Sequence, residues 1–130
     1  MVNGLEPRQR GWTALVLCYA AGLLVVSLLP ASGETMAATG PLGVVAVDLW
    51  FHAGGYALFA LLLARATGAT TVQSLLAVLA LVALYGLAIE GLQTVVATRQ
   101  FSLFDALANT AGATVAVAVR AARTDRHAGW

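Results

Sequence analysis

The longest apolar stretch of the chain spans residues 72–97 and reads VQSLLAVLALVALYGLAIEGLQTVVA. As an α-helix it would extend about 39 Å, which exceeds the roughly 30 Å hydrocarbon core of a bilayer. The stretch therefore predicts a membrane-spanning helix that tilts or projects from the membrane. Glu90 and Gln93 lie near its C-terminal end, where polar groups are costly unless they face protein or water.

Three further apolar runs accompany this one, over residues 12–29, 44–66 and 103–119. Each is long enough to cross a bilayer, and Pro30 with the glycines between 31 and 43 separates the first two. We predict an all-α membrane protein, a four-helix transmembrane bundle with up-and-down topology. The predicted helices lie at about 12–30, 46–66, 72–97 and 103–120. Residues 12–120 would form the transmembrane domain, residues 1–11 an N-terminal segment, and residues 121–130 a tail.

The first apolar run also resembles a signal peptide, because two arginines precede it and small residues follow Pro30. Its length favours a spanning helix instead.

Composition limits the classes of protein that the chain can represent. The chain is 60% hydrophobic and 10% charged, with a mean hydropathy of +0.84, well outside the range of soluble domains. A net charge of +1 and the lack of a basic stripe argue against nucleic-acid binding. Cys18 is the single cysteine, so no disulfide framework can form, and we expect it to be a buried, inert thiol.

All seven basic residues are arginines, and they are distributed unevenly over the predicted topology. With a cytoplasmic N-terminus, the outer side carries only Arg99. The inner side carries the others: Arg8, Arg10, Arg65, Arg120, Arg123 and Arg126. Basic residues concentrate on the cytoplasmic side of membrane proteins, so both termini are predicted to be cytoplasmic.

Polar residues on three of the predicted helices fall at one depth. On the second helix Asp48, His52 and Tyr56 recur at four-residue spacing and share a face. Glu90 and Gln93 lie near the C-terminal end of the third helix. Asp105 and Asn109 lie near the N-terminal end of the fourth helix. These ends meet on the outer side, so we expect one polar pocket about 5–12 Å deep in the outer leaflet. The predicted binding residues are Asp48, His52, Tyr56, Glu90, Gln93, Arg99, Ser102, Asp105 and Asn109.

Ser102 has a second interpretation, because Ser102 and Asp105 have the spacing of a helix-capping box. Charge accounting adds an expectation for the pocket, in which carboxyl groups outnumber cations. We predict that Glu90 holds a proton there or that a cation binds.

The polar residues also form a pattern that resembles the VanZ-like family of small bacterial membrane proteins. The family pattern D-K-x-x-H-F-x-x-Y is matched at Asp48, His52 and Tyr56. The pattern E-x-x-Q-x-F-x-P-x-R-x-x-S-x-x-D-x-x-x-N-x-x-G is matched without insertion from Glu90 to Gly112. Its matched positions are Glu90, Gln93, Arg99, Ser102, Asp105, Asn109 and Gly112. The chain departs from these patterns at Leu49, Ala53, Val95 and Ala97.

The resemblance implies a multi-pass protein of the bacterial plasma membrane with a role in the cell envelope, such as teicoplanin resistance. The implied function is to bind or modulate an anionic envelope lipid, a polyprenyl-linked cell-wall intermediate or a lipoglycopeptide. Arg99 would offer a planar, two-pronged donor to a phosphate or carboxylate.

Two other functions stay open. One is an intramembrane acid/base or metal-assisted enzyme acting on a phosphate-containing lipid carrier, with His52, Glu90 and Asp105 as candidate catalytic groups. The spacing of these residues singles out no metal site, and we predict no cofactor. The other is a structural protein whose polar groups only hold the helices together. Membrane lipids are the expected partners in each case, and the sequence leaves a homo-oligomer open.

Overall fold

The computed structural model describes residues 7–29, 39–40, 43–96 and 100–128, without the side chains of Val96 and of residues 125–128. Within these residues the chain is helical, as predicted. The four helices are α1 (Pro7–Leu28), α2 (Val47–Thr67), α3 (Val72–Val96) and α4 (Leu103–Ala128). A short turn precedes α2, in which the Gly40 amide donates to the Val45 carbonyl over 2.7 Å.

The helix boundaries differ from the predicted ones at two ends. α1 begins at Pro7 rather than near residue 12, because proline fits the first turn of a helix, where no N–H is needed. α4 continues to Ala128 and takes in most of the predicted tail. The predicted stop at Pro30 lies outside the described residues.

Three of these helices are long and apolar enough to cross a membrane: Pro7–Leu28, Val47–Thr67 and the Val72–Val95 part of α3. This indicates a membrane protein. α4 does not meet the same criterion, in contrast to our prediction of a fourth clear span. Its apolar sequence is interrupted by Asp105, Asn109 and Arg120, which lower its average hydropathy.

Large apolar side chains cover the outside of the bundle. Leu17 on α1 is 65% exposed, Leu84 on α3 is 62% exposed and Val115 on α4 is 63% exposed. An apolar surface on several sides fits contact with lipid rather than with water. Cys18 lies on this surface, so the prediction of a buried thiol is wrong.

Small residues allow the two central helices to pack closely. α2 and α4 share the most extensive interface of the bundle, and Ala60, Ala64 and Ala113 are almost completely buried there. A Cβ atom built on Gly112 would lie 2.6 Å from the Ala53 carbonyl carbon and 2.8 Å from its Cα. Only glycine allows the two backbones to approach this closely.

Aromatic side chains tie α1 and α3 to this central pair. The Phe59 ring lies 6.1 Å from the Tyr19 ring, 6.4 Å from the Tyr56 ring and 5.2 Å from the Tyr85 ring. Two of these tyrosines also donate to backbone carbonyls of neighbouring helices. The Tyr19 hydroxyl donates to Gly55 O over 3.0 Å, and the Tyr85 hydroxyl donates to Ala20 O over 2.5 Å. α1 is thus an integral part of the bundle.

Candidate functional site at the polar end of the bundle

The predicted polar residues that the structure describes gather at one end of the bundle, where α2 and α4 begin and α1 and α3 finish. We call this the polar end. At the opposite end α2 turns into α3 through Gly68, whose positive φ of 66° forms a left-handed helix cap. Because successive helices run in opposite directions, polar residues far apart in the sequence meet at the same level.

The centre of the polar end is His52, which faces residues of both α2 and α4. Its Nδ1 lies 2.9 Å from Asn109 Oδ1, and Asn109 is only 1% exposed. Its Nε2 lies 3.9 Å from Asp48 Oδ1 and 3.8 Å from Asp105 Oδ2. The bond to Asn109 fixes the ring orientation, so the other ring nitrogen is held between two carboxylates.

Asp48, His52 and Asp105 form the one group of possible metal ligands found among the described residues. One ligand atom from each lies within 4.8 Å of the others. Separations of 3.8–3.9 Å are too long for direct hydrogen bonds, and the three ligand atoms would have to draw closer together to coordinate one small cation. Carboxylates with one imidazole suit magnesium or manganese. The sequence spacing alone did not predict this group.

Glu90 joins α3 to the start of α4. Its side chain is 1% exposed, and its Oε2 accepts a hydrogen bond from the Ser102 amide over 3.2 Å. The Ser102 hydroxyl accepts from the Asp105 amide over 3.2 Å, so Ser102 caps α4 as its sequence spacing predicted. Together these bonds fix the position of the first turn of α4, which carries Asp105.

Gln93 is buried but is bonded away from His52. Its Nε2 donates to the Ser27 carbonyl of α1 over 2.6 Å. Gln93 therefore links α1 to α3 at the polar end. Arg99, which we predicted as the anion-binding residue, lies outside the described residues.

Tyr56 lies deeper in the bundle than His52 and is 2% exposed. Its hydroxyl is buried without a hydrogen-bond partner among the described residues. A Cβ on Gly86 would lie 3.0 Å from the Tyr56 ring and 3.2 Å from Asn109 Nδ2. Gly86 thus makes room for both side chains, and the polar groups continue inward from His52 through Asn109 to Tyr56.

Replacing Tyr56 by phenylalanine is expected to leave the stability of the ligand-free protein unchanged or to raise it by up to about 2 kcal/mol, because a buried hydroxyl without a partner is removed. Tyr85→Phe provides the matched control, since it removes the bond to Ala20 O and is expected to cost about 1 kcal/mol. Thermal unfolding in detergent measures both changes. A larger loss in Tyr56→Phe than in Tyr85→Phe would contradict the prediction.

An apolar groove of about 360 Å³ runs beside the polar end, between α2 and α4. Its lining residues are apolar, and most of them belong to the N-terminal turns of α2 and α4, which carry Asp48, His52 and Asp105. They are Val45, Leu49, Trp50, Ala53, Phe104, Leu107, Ala108 and Ala111. The groove was not predicted from the sequence, because its residues belong to apolar runs and differ from lipid-facing residues only in how two helices pack.

The polar end therefore combines a half-buried histidine bonded to a buried asparagine, two carboxylates that face the histidine, and an adjoining apolar groove. This arrangement can hold a cation or an ionic headgroup next to a hydrocarbon chain. No protein-family model, curated protein or solved structure matches this chain.

Proposed function

We propose that the protein is a VanZ-like, multi-pass protein of the bacterial plasma membrane that binds a phosphate-bearing envelope lipid at its polar end. In this proposal α4 is the fourth spanning helix, both termini are cytoplasmic, and the polar end lies in the outer leaflet. The distribution of the arginines supports this orientation. The exposed apolar surface of α4 supports its place in the membrane.

The observation that carries the proposal is the position of the Asp48–His52–Asp105 group next to the apolar groove. Both are formed by the N-terminal turns of α2 and α4, and two groove residues, Leu49 and Phe104, are the sequence neighbours of Asp48 and Asp105. A lipid has the same two parts, a charged head and an apolar chain, joined over a short distance. If the polar groups only held the helices together, the polar contacts would be required but the apolar groove would not.

Two carboxylates would repel a phosphate headgroup, so a divalent cation is needed between them. Magnesium is commonly bound by one or two carboxylates together with substrate phosphates. In the proposed complex Asp48, Asp105 and His52 Nε2 hold the cation, and the lipid phosphate completes its coordination. Arg99 would add a second contact to the phosphate.

The groove would hold the first part of the lipid chain. Its lining is formed by branched and small apolar side chains, with Trp50 and Phe104 as the aromatic members. The VanZ-like resemblance favours a polyprenyl-linked cell-wall intermediate or a lipoglycopeptide as the occupant.

Native mass spectrometry of the gently extracted protein tests this function. We expect a co-purified phosphate-containing lipid that is lost when EDTA is added and in the Asp48→Asn/Asp105→Asn variant. Thr114→Val is a suitable control, because Thr114 is exposed on α4 and its hydroxyl bonds only to Thr110 O of its own helix. Wild-type protein without a lipid adduct would contradict the proposal.

His52 also favours a second function, that of a metal-assisted enzyme acting on a phosphate-containing lipid carrier. A histidine held by Asn109 and flanked by two carboxylates is the arrangement of a general acid or base beside a metal. Glu90 is occupied by the Ser102 amide, which makes it a positioning residue in this hypothesis. Release of phosphate or pyrophosphate from a polyprenyl substrate, abolished in His52→Ala, would establish the enzyme over the binding protein.

A further inference from the structure

A second polar site lies at the opposite end of the bundle, around the turn between α2 and α3. A groove of about 440 Å³ opens there between α2 and α4, lined by three arginines, Arg65, Arg120 and Arg123, with two threonines. A second groove of about 300 Å³ shares Arg65, Thr70 and Arg120 and is completed by residues of α1. We call these two connected grooves the arginine site.

The charge of the arginine site is not balanced within the described part of the protein. Arg65, Arg120 and Arg123 form no ion pair with any described residue. None of the described residues that line either groove is acidic. Three guanidinium groups around one concave surface create a strong positive potential, which favours an anion.

Two of the guanidinium groups are held in position by the protein. Arg120 Nε donates to the Ala69 carbonyl over 2.9 Å, which ties this guanidinium group to the α2–α3 turn. Arg65 lies over the Trp12 ring, 5.3 Å from the ring centroid. Such restraint reduces the entropy lost when a ligand binds.

Further groups in the arginine site favour the same kind of ligand. The exposed Thr70 hydroxyl has no hydrogen-bond partner among the described residues and can donate to an oxyanion. The helix α3 begins at Val72, two residues after Thr70, and the N-terminal end of a helix carries a partial positive charge. Leu61 and Val119 line the groove on the side of the membrane, where they would meet the start of an acyl chain.

We infer that the arginine site binds the phosphate headgroup of an anionic phospholipid from the leaflet at this end of the bundle. Guanidinium groups bind phosphate oxygens in pairs, and basic pockets between membrane helices hold anionic headgroups in this way. This site is separate from the polar end and does not depend on the function proposed there. It would fix the depth of the bundle in the membrane through a bound lipid.

Trp12 provides the readout, because it lies beneath Arg65 and lines the site. In a Trp50→Phe/Trp130→Phe background, Trp12 fluorescence reports brominated lipid bound nearby. The protein is placed in nanodiscs of phosphatidylcholine that contain a small fraction of brominated phosphatidylglycerol, or the same fraction of brominated phosphatidylcholine. We expect the brominated phosphatidylglycerol to quench Trp12 at much lower mole fractions than the brominated phosphatidylcholine.

The Arg65→Gln/Arg120→Gln/Arg123→Gln variant should bind the brominated phosphatidylglycerol on the order of a hundredfold more weakly. If that variant does not fold, Arg65→Gln/Arg123→Gln keeps the Arg120–Ala69 bond and should bind this lipid about 30-fold more weakly. Arg10→Gln is the matched control. This change removes one arginine charge at the same end of the bundle, but Arg10 lines neither groove. Brominated phosphatidylglycerol should therefore quench Trp12 in this variant as strongly as in the protein that carries all the arginines.

Equal quenching of Trp12 by the two brominated lipids would overturn the inference. An equal loss of affinity for brominated phosphatidylglycerol in Arg10→Gln and in Arg65→Gln/Arg123→Gln would also overturn it. Inorganic phosphate in excess should not displace the lipid. If it does, the arginine site takes the free anion, and the assignment to a phospholipid is wrong.

Discussion

Protein in which Gly112 is replaced by valine is expected not to form the four-helix bundle. The side chain would occupy the space of the Ala53 backbone, since even a Cβ atom on Gly112 would lie 2.6 Å from the Ala53 carbonyl carbon. Overpacking against movable side chains costs about 1–3 kcal/mol. A backbone in the middle of α2 cannot move aside without separating α2 from α4, so the cost of valine is expected to exceed this range.

The milder change Gly112→Ala allows the effect to be measured. Its Cβ atom meets the same backbone, so we expect it to lower the stability by about 3 kcal/mol or more, seen as a lower midpoint of thermal unfolding in detergent. Gly91→Ala is the matched control, because Gly91 lies in α3 with nothing within 4 Å of a built Cβ. Gly91→Ala should raise the stability by up to about 1 kcal/mol, because alanine has a higher helix propensity than glycine. Equal midpoints for the two variants would show that α2 and α4 do not cross as closely as described.

A loss of cation binding is the second large effect that we expect, in the Asp48→Asn/Asp105→Asn variant. The double change keeps the shape of both side chains and removes the negative charge from two of the three candidate ligands of a divalent ion. The affinity for Mn²⁺, measured by titration of its EPR signal in nanodiscs, should fall at least about a hundredfold. Asn109→Leu, which frees the His52 ring, should lower the affinity by about 10–100-fold.

This experiment also distinguishes a binding site from a set of contacts that only hold the helices together. Two aspartates that face one histidine at 3.8–3.9 Å contribute little packing, so the double variant should unfold at or near the wild-type temperature. If the polar groups only join the helices, stability falls and Mn²⁺ does not bind even to the wild type. That result would favour the structural alternative.

The gathering of polar groups at one level was predictable from the sequence because helical spacing fixes depth. Asp48 and His52 are four residues apart, and Asp105 and Asn109 are four residues apart. Each pair must lie on one face near the start of its helix. The cap formed by Ser102 was likewise predictable, since the residue types and spacing of a capping box are local.

The rotation of each helix against its neighbours was not predictable in the same way. Gln93 belongs to the same motif as Glu90, yet its amide bonds to Ser27 of α1, while Glu90 bonds to the start of α4. The choice depends on the packing of Gly112 on Ala53 and of Gly86 beside Tyr56. Apolar periodicity carries little information on such contacts when a helix is apolar on all sides, as the spans of this chain are.

The central claim is that Asp48, His52 and Asp105 hold a divalent cation that binds the phosphate of a lipid. Electron–nuclear double resonance of Mn²⁺ bound to the protein in lipid nanodiscs tests it most directly. We predict a ³¹P coupling from a directly bound phosphate and a ¹⁴N coupling that His52→Ala removes. Bound Mn²⁺ with the histidine coupling but no ³¹P coupling, or no bound Mn²⁺ at all, would contradict the claim.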